Sequence, residues 1–281
     1  MSTLILQGPA LGADEASALA SDVTGRLEET AYGYKVRLAR SPDAATLNTL
    51  RRQWNFDINL LPESFDPTAV RLLITDMDST LITIECVDEI ADFIQVKPQV
   101  SAITEAAMRG EIDFPTSLRQ RVALLKGLDQ TALEHVYTER LTLSPGAQTM
   151  LEGLRANGIR IALVSGGFSF FTDRLKKHLN LDYTLSNTLD IESGKLTGHI
   201  KGNIVGAEAK ASFLKQLCTE LGIATQQTIA VGDGANDLLM MKTAGLSVAF
   251  HAKPTVQQHA ATTLNHCGLE GVLGLLDIGD E

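Results

Sequence analysis

The chain has 281 residues, of which 44% are hydrophobic and 21% charged, so its composition excludes a disordered or fibrous protein. Its 34 acidic and 24 basic side chains give a net charge of −10. This balance argues against nucleic acid as the main partner, because binding to a phosphate backbone needs clustered Lys and Arg. A chain of this length is typical of about two domains.

The cysteines and the apolar segments predict a cytoplasmic protein. The three cysteines, Cys86, Cys218 and Cys267, are far apart and odd in number, which favours reduced thiols over disulfides or a zinc site. The N-terminus lacks a basic region followed by an apolar stretch, so no signal peptide is expected. No apolar run approaches the roughly 20 residues of a membrane helix, so no membrane contact is expected.

Residues 1–66 are predicted to form a small α/β module. Alternating segments predict strands and longer segments predict helices, in the order strand 3–6, helix 13–20, strand 34–38, helix 42–53 and strand 56–58. Ser41 is the predicted N-cap of the second helix, with Pro42 at its first position. The polar stretch 61–67 contains two prolines and is predicted to be a linker.

Beyond the linker, short apolar runs alternate with helical segments, which predicts a doubly wound parallel sheet with α/β architecture. The core strands are predicted at 72–75, 159–164, 228–231 and 246–250, and a hairpin is predicted around Ser193, Gly194 and Lys195. The segment 84–143 breaks this alternation because it is nearly all helical in pattern. We therefore expect a core of residues 67–83 and 144–281 with a helical cap inserted at 84–143.

Polar clusters follow three of the predicted core strands. They are Asp76-Met77-Asp78-Ser79-Thr80, Ser165-Gly166-Gly167 and Gly232-Asp233-Gly234-Ala235-Asn236-Asp237. Because the carboxyl ends of parallel strands meet at one edge of a sheet, we expect these clusters to form one site. Neighbouring carboxylates repel one another, and Mg²⁺, which prefers oxygen ligands and accepts a substrate phosphate, would relieve that repulsion. The pattern predicts a Mg²⁺ site for a small phosphorylated substrate.

These motifs resemble those of a known family. Together with Lys210, the three clusters are similar to the four signature motifs of the haloacid dehalogenase-like phosphatases. Further segments resemble the phosphoserine phosphatase family within them, namely Glu85, Met108-Arg109-Gly110 with Phe114, Ser117 to Arg121, Ser165 to Phe168, and Ala252-Lys253-Pro254. The resemblance covers about residues 70–276. It implies hydrolysis of L-phosphoserine to L-serine and phosphate, the last step of serine biosynthesis.

The resemblance also implies roles for the clustered aspartates. Asp76 would be the nucleophile that forms an aspartyl-phosphate, and Asp78 the general acid and then the general base. Mg²⁺ would be held by Asp76, the backbone carbonyl of Asp78, and Asp233, with Asp237 supporting the metal site. Lys210 would neutralise negative charge in the transition state.

The same resemblance assigns the substrate contacts. Ser165, Gly166 and Asn236 would contact the phosphoryl group or its water. An amino acid also carries an ammonium and a carboxylate, for which Glu85 and Arg121 are the expected partners. Met108 and Phe114 would form walls of the pocket.

Two alternatives remain open from the sequence. The first is a haloacid dehalogenase-like phosphatase for another small phosphomonoester. The second is a ligand-sensing protein, against which the intact set of Asp76, Asp78, Lys210 and Asp233 argues. The module 1–66 loosely resembles ACT-type ligand-binding modules, although only three strands are predicted, and its expected role is regulation or dimerisation. A homodimer is therefore a further expectation.

Overall fold

The fold is that of a computed structural model, which describes residues 2–109 and 111–279, apart from the side chain of Met108. The strands are β1 (Ser2–Gln7), β2 (Arg26–Thr30), β3 (Gly33–Leu38), β4 (Asp57–Leu60), β5 (Leu72–Thr75), β6 (Arg160–Phe168), β7 (Tyr183–Glu192), β8 (Lys195–Lys201), β9 (Thr228–Gly232), β10 (Leu246–Phe250) and β11 (Thr262–Leu264). The helices are α1 (Ala13–Asp22), α2 (Ala44–Gln53), α3 (Cys86–Asp92), α4 (Lys97–Met108), α5 (Phe114–Ala123), α6 (Thr131–His135), α7 (Ala147–Ala156), α8 (Ser169–His178), α9 (Ala207–Leu221), α10 (Leu238–Thr243), α11 (Pro254–Gln257) and α12 (Gly271–Leu276).

The N-terminal part of the chain forms a four-stranded antiparallel sheet in the order β2-β3-β1-β4. The elements follow the order βαββαβ, which is the split βαβ motif. Strand β2 is absent from the sequence prediction because Leu27 is its only apolar side chain, so it shows no alternation. The sheet and its helices enclose a separate apolar core that includes Leu4, Leu19 and Ile58.

The second helix begins two residues later than predicted. Asp43 is its N-cap, and the Asp43 carboxylate accepts the backbone N–H of Thr46. The prediction of Ser41 as N-cap is wrong because Asp43 offers an equally good capping side chain closer to the helical residues. Pro42 consequently precedes the helix instead of occupying its first position.

The large sheet has seven strands in the order β11-β10-β9-β5-β6-β7-β8. All neighbouring strands are parallel except β7 and β8, which form the predicted antiparallel hairpin. Strands β5, β9 and β10 are buried at every position, which explains their continuous apolar runs. The α/β class and the largely parallel sheet predicted from the sequence are confirmed. Strand β11 was not predicted, since three residues are too few for a pattern.

Helices α3 to α6 lie in the segment between β5 and α7, and a narrow stem joins them to the sheet. In this stem the backbone N–H of Thr83 donates to the carbonyl of Thr142 at 3.0 Å. The backbone N–H of Ser144 donates to the carbonyl of Leu81, also at 3.0 Å. Ile82 and Leu143 form an antiparallel bridge between these contacts. The chain therefore leaves the core and returns to it just beyond the end of β5, and the helices lie beside the carboxyl edge of the sheet.

A polar joint connects the two sheets. Both oxygens of the buried Asp57 carboxylate, in β4, accept backbone N–H groups from Asn265, His266 and Cys267 at 2.7–3.0 Å. The buried amide of Asn59 donates to the carbonyl of Thr263 and accepts its N–H. These contacts continue the hydrogen bonding of β11 into β4, so the two sheets meet through paired polar groups.

Candidate active site

The site is centred on a fully buried lysine. Lys210, in the first turn of α9, donates to Asp76 at 2.6 Å and to Asp237 at 2.7 Å. A buried ammonium is stable only when it is paired, and these two carboxylates pair it. Burial disfavours its charged form, but Asp237 and Asp76 together raise the pKa of Lys210 above its ordinary value. The ammonium therefore stays charged beside the end of β5.

Asp76 directly follows β5, and its backbone N–H donates to Val231 of the neighbouring strand β9. Burial, and next the charge of Asp237, raise the pKa of the Asp76 carboxyl well above its ordinary value. Its Oδ1 atom accepts from Lys210, whereas Oδ2 accepts no hydrogen bond from the described residues 2–109 and 111–279. One oxygen of Asp76 is thus held in place, and the other remains available to a reacting group.

Asp78 is held by the turn that leaves β5. Its Oδ1 accepts the backbone N–H of Cys86 at 2.8 Å, and its Oδ2 accepts the hydroxyl of Ser165 at 3.1 Å. The turn passes through Ser79, whose φ of 56° lies in the left-handed region. Burial raises the pKa of Asp78, although its hydrogen bonds, first that from Cys86, oppose the shift. A raised pKa is what a carboxyl group needs to donate a proton near neutral pH.

Three carboxylates form a cluster suited to a metal ion. Oxygen atoms of Asp76, Asp233 and Asp237 all lie within 4.8 Å of one another. Burial, and next the charge of Asp237, raise the pKa of Asp233 to about 6, while a hydrogen bond from Thr80 at 3.1 Å opposes this. This donor set of hard oxygens with excess negative charge fits Mg²⁺.

The end of β6 provides the opposite wall. The hydroxyl of Ser165 accepts the N–H of Gly167 at 2.8 Å while it donates to Asp78. A Cβ atom at Gly167 would lie 2.7 Å from the Asp78 carboxylate, and one at Gly166 would lie 2.8 Å from the ring of Phe114. Only glycines therefore allow the backbone to approach both the aspartate and the helix α5.

The cavity also carries opposite charges from the inserted segment 84–143. Glu85 accepts the hydroxyl of Ser79 at 2.7 Å, and burial, with the charge of Asp78 as the next cause, raises the pKa of Glu85 to about 8. Arg121, in α5, is 9% exposed, and its Nε atom is buried with no hydrogen-bond partner among the described residues. Burial lowers the pKa of Arg121, opposed first by the charge of Asp88. An unsatisfied buried donor of this kind fits an anionic group of a ligand.

These residues surround one cavity of about 850 Å³. Of the residues predicted from the sequence, its wall contains Asp76, Asp78, Glu85, Phe114, Arg121, Gly166, Asp233 and Asn236. Ser165, Lys210 and Asp237 are buried behind that wall. Ser165 donates to Asp78, and Lys210 donates to both Asp76 and Asp237. Met108 ends α4, and its side chain lies outside the described part of the chain, as does Gly110.

Sequence reasoning missed several residues of the site. The buried amide of Asn187, in β7, donates to the carbonyl of Gly166 and accepts the N–H of Val205, both at 2.8 Å. It thereby ties the loop after β6 to the segment before α9. Nothing in the local pattern of β7 distinguishes this asparagine. Asp88 also lines the cavity, and it is a common surface residue type that gives no signal by itself. Lys253, from the segment Ala252-Lys253-Pro254 of the family resemblance, lines the cavity as well.

Comparison with known proteins gives consistent matches. The model of the haloacid dehalogenase-like hydrolase family matches residues 70–245. A phosphoserine phosphatase from Polaromonas sp. (strain JS666) is 50% identical over 224 residues, which is 78% of this chain and 95% of the relative.

Two solved structures extend the similarity to the N-terminal sheet. A haloacid dehalogenase family hydrolase from Salmonella enterica serovar Typhi has a TM-score of 0.90 and 36% identity, covering 100% of both chains. A probable phosphoserine phosphatase from Vibrio cholerae, in unliganded form, has a TM-score of 0.84 and 39% identity over 99% of this chain and 86% of that one. Within the described residues, no helix has the length and apolar character needed to span a bilayer.

Proposed function

We propose, because the chain belongs to the phosphoserine phosphatases of the haloacid dehalogenase-like hydrolase family, that it converts L-phosphoserine and water into L-serine and phosphate. One observation carries the proposal. A single cavity is lined by Asp76, which binds the buried Lys210, and by Glu85 and Arg121. The first pair suits a phosphoryl group, and the second suits the ammonium and carboxylate of an amino acid.

In the first step, Asp76 attacks phosphorus with the carboxylate oxygen that Lys210 does not hold. A bond forms between this oxygen and phosphorus while the bond from phosphorus to the seryl oxygen breaks. Asp78, whose pKa is raised by burial, gives its proton to the departing seryl oxygen. The products of this step are L-serine and an aspartyl-phosphate on Asp76.

In the second step, a water molecule attacks the phosphorus of the aspartyl-phosphate. Asp78, now a carboxylate, takes a proton from this water, and the bond from phosphorus to Asp76 breaks. Phosphate leaves, and both aspartates return to their starting states. Ser165 keeps Asp78 oriented through its hydrogen bond, while the ammonium of Lys210 offsets charge that develops near Asp76.

The metal ion of the family is Mg²⁺, and the carboxylates of Asp76, Asp233 and Asp237 fit it. We propose that these side chains, with the carbonyl of Asp78, hold the ion. When bound, Mg²⁺ supplies positive charge that withdraws electron density from phosphoryl oxygens. Gly166 and Asn236, which both line the cavity, are proposed to contact the phosphoryl group.

Substrate choice is assigned to the residues from the inserted helices. Arg121 has a buried donor that finds no partner among the described residues, and an α-carboxylate would satisfy it. Glu85 would accept the α-ammonium, and the positive charge would favour the carboxylate form of Glu85. Phe114 lies against Gly166 and forms part of the cavity wall. These helices, the segment 84–143, are proposed to act as a cap that excludes water around the bound substrate.

The test is phosphate release from a panel of phosphomonoesters, measured with Mg²⁺ and with EDTA. The expected result is strong Mg²⁺-dependent preference for L-phosphoserine and loss of activity in EDTA. Equal turnover of phosphomonoesters without an amino-acid moiety would contradict the substrate assignment. If no substrate released phosphate, the assignment as an enzyme would be contradicted and the ligand-sensing alternative would be favoured.

We further propose a cytoplasmic location, supported by three cysteines that are all buried free thiols. The N-terminal part, residues 1–66, is proposed to serve regulation or dimerisation. A monomeric mass in sedimentation at working concentration would contradict the dimer.

A further inference from the structure

A second cavity, called here the interface cavity, lies between the N-terminal sheet and the core. Its volume is about 530 Å³. It shares no lining residue with the catalytic cavity. Its polar walls come from the end of α2, the start of β4, helix α11 and the segment after β11, and include Arg51, Arg52, Asp57, Gln257, Asn265 and His266. The cavity thus belongs to neither sheet alone.

Two arginines give the interface cavity positive charge, and Asp57 is the one carboxylate in its described lining. Arg51 is half-buried, and it donates only to neutral oxygens, the carbonyl of Ile58 at 2.8 Å and the side chain of Asn59 at 3.4 Å. Arg52 is exposed, and neither guanidinium forms an ion pair with any residue of 2–109 or 111–279. Burial lowers the pKa of Arg51, and the charge of Asp57 opposes this shift without fully compensating for it. An anion in the cavity would supply that compensation.

The carboxylate of the cavity does not cancel this preference. Asp57 is buried, and its two oxygens already accept three backbone N–H groups, those of Asn265, His266 and Cys267. It is therefore poorly placed to bind an ammonium group as well. The side chains of Gln257 and Asn265 add neutral hydrogen-bonding groups to the wall. The lining consequently suits an oxyanion better than a cation or a zwitterion.

A short segment joins the interface cavity to the catalytic cavity. Helix α11 forms part of the interface wall, and the residue before it, Lys253, lines the catalytic cavity. The N–H of Lys253 donates to the carbonyl of Asp233 at 3.4 Å. Gln257 in turn donates to the carbonyl of Ala252 at 2.7 Å and accepts from Asn265. A ligand that moves Gln257 therefore acts on a segment that ends at the proposed metal site.

We propose that the interface cavity is a regulatory site for a small oxyanion, bearing a carboxylate or a phosphate group, which Arg51 and Arg52 bind and which changes turnover through helix α11. The inference goes beyond the proposed hydrolysis, since it concerns a different cavity. Binding to this site does not depend on the identity of the substrate.

Two probes distinguish the two oxyanion sources. Succinate represents carboxylates and inorganic phosphate represents phosphates, and both are measured by calorimetry and by their effect on turnover with Mg²⁺ in excess. Arg52→Gln removes one charge from the cavity at an exposed position that makes no ion pair. Arg40→Gln is the matched control, because Arg40 is an exposed arginine of the same N-terminal part that does not line the cavity.

We expect at least one probe to bind with an affinity that Arg52→Gln weakens about 10-fold and Arg40→Gln leaves unchanged. The same probe should show a non-competitive effect on turnover that Arg52→Gln removes. Phosphate also occupies the catalytic cavity as a product, and that binding is recognised because it competes with substrate in every variant.

If the original chain, Arg52→Gln and Arg40→Gln all bound both probes with equal affinity, the assignment of the binding site would be overturned. Purely competitive inhibition in all three would overturn the regulatory role. A second variant, Gln258→Glu, places a negative charge in the exposed part of the lining and should weaken the same binding. Because calorimetry needs no turnover, failure of the proposed hydrolysis would leave this test intact.

Discussion

Asp76 combines two properties at one residue, since Lys210 binds one of its oxygens and the other carries no hydrogen bond within the described residues. Asp76→Asn keeps an oxygen acceptor for Lys210 but removes the nucleophilic carboxylate. We expect turnover of L-phosphoserine to fall by at least about 10³-fold while the fold is retained. Steady-state kinetics and circular dichroism of the purified variant check both parts. Appreciable turnover in a clean preparation would exclude Asp76 as the nucleophile.

Arg121 is expected to determine the preference for an amino-acid substrate. Arg121→Ala removes the buried guanidinium, so the substrate carboxylate would be buried without its partner. We therefore expect kcat/KM for L-phosphoserine to fall about 10²-fold. O-phosphoethanolamine has no carboxylate, so its turnover should change much less. Arg119→Ala is the matched control, because Arg119 is exposed on the same helix. A parallel loss for both substrates would indicate that Arg121 supports the helix rather than the substrate.

At the scale of elements, one buried amide aligns two segments of the site. Asn187→Ala leaves the carbonyl of Gly166 and the N–H of Val205 without their partner. We expect the free energy of unfolding to fall by about 1–3 kcal/mol, the usual cost of unsatisfied buried groups. We also expect kcat/KM to fall, since Gly166 lines the catalytic cavity.

Urea unfolding and steady-state kinetics measure the two effects of Asn187→Ala. Asn203→Ala is the control, because Asn203 is exposed and near Val205 in the chain. An unchanged kcat/KM together with lower stability would show that Asn187 acts on the fold and not on the position of Gly166.

At the scale of the whole molecule, Asp57 joins the two sheets. Asp57→Asn replaces one of its acceptor oxygens with an amide nitrogen, so some of the three N–H groups lose their partner. We expect a loss of about 1–3 kcal/mol in the free energy of unfolding. Trp54, the single tryptophan, lies in the N-terminal part and reports on it by fluorescence, whereas circular dichroism reports on the whole chain.

In the original chain the two signals should change together, and in Asp57→Asn the fluorescence transition should come at lower urea. Asp22→Asn, at an exposed position at the end of α1, should leave both transitions unchanged. Coincident and unshifted transitions in Asp57→Asn would mean that the joint does not couple the two sheets.

The local sequence was sufficient where one physical rule decided the structure. Strands such as β5 are buried on both faces and therefore show continuous apolar runs. The local sequence was insufficient where signals competed, as between Ser41 and Asp43 at the start of α2. It was also insufficient where a signal was absent, as in β2, where Leu27 is the only apolar residue. Neighbouring capping residues are equivalent until the tertiary structure selects between them.

The sequence by itself determined the α/β class, the parallel core and the edge at which the aspartates meet, because parallel strands all end at the same edge. Only the tertiary structure brought Lys210 to Asp76 and Asp237, placed Asn187 behind Gly166, and buried a donor of Arg121 that has no partner in the described part of the chain. Those contacts join residues far apart in the chain, and side-chain distance and burial are set by packing. The interface cavity likewise exists only because two separate sheets meet at Asp57 and Asn59.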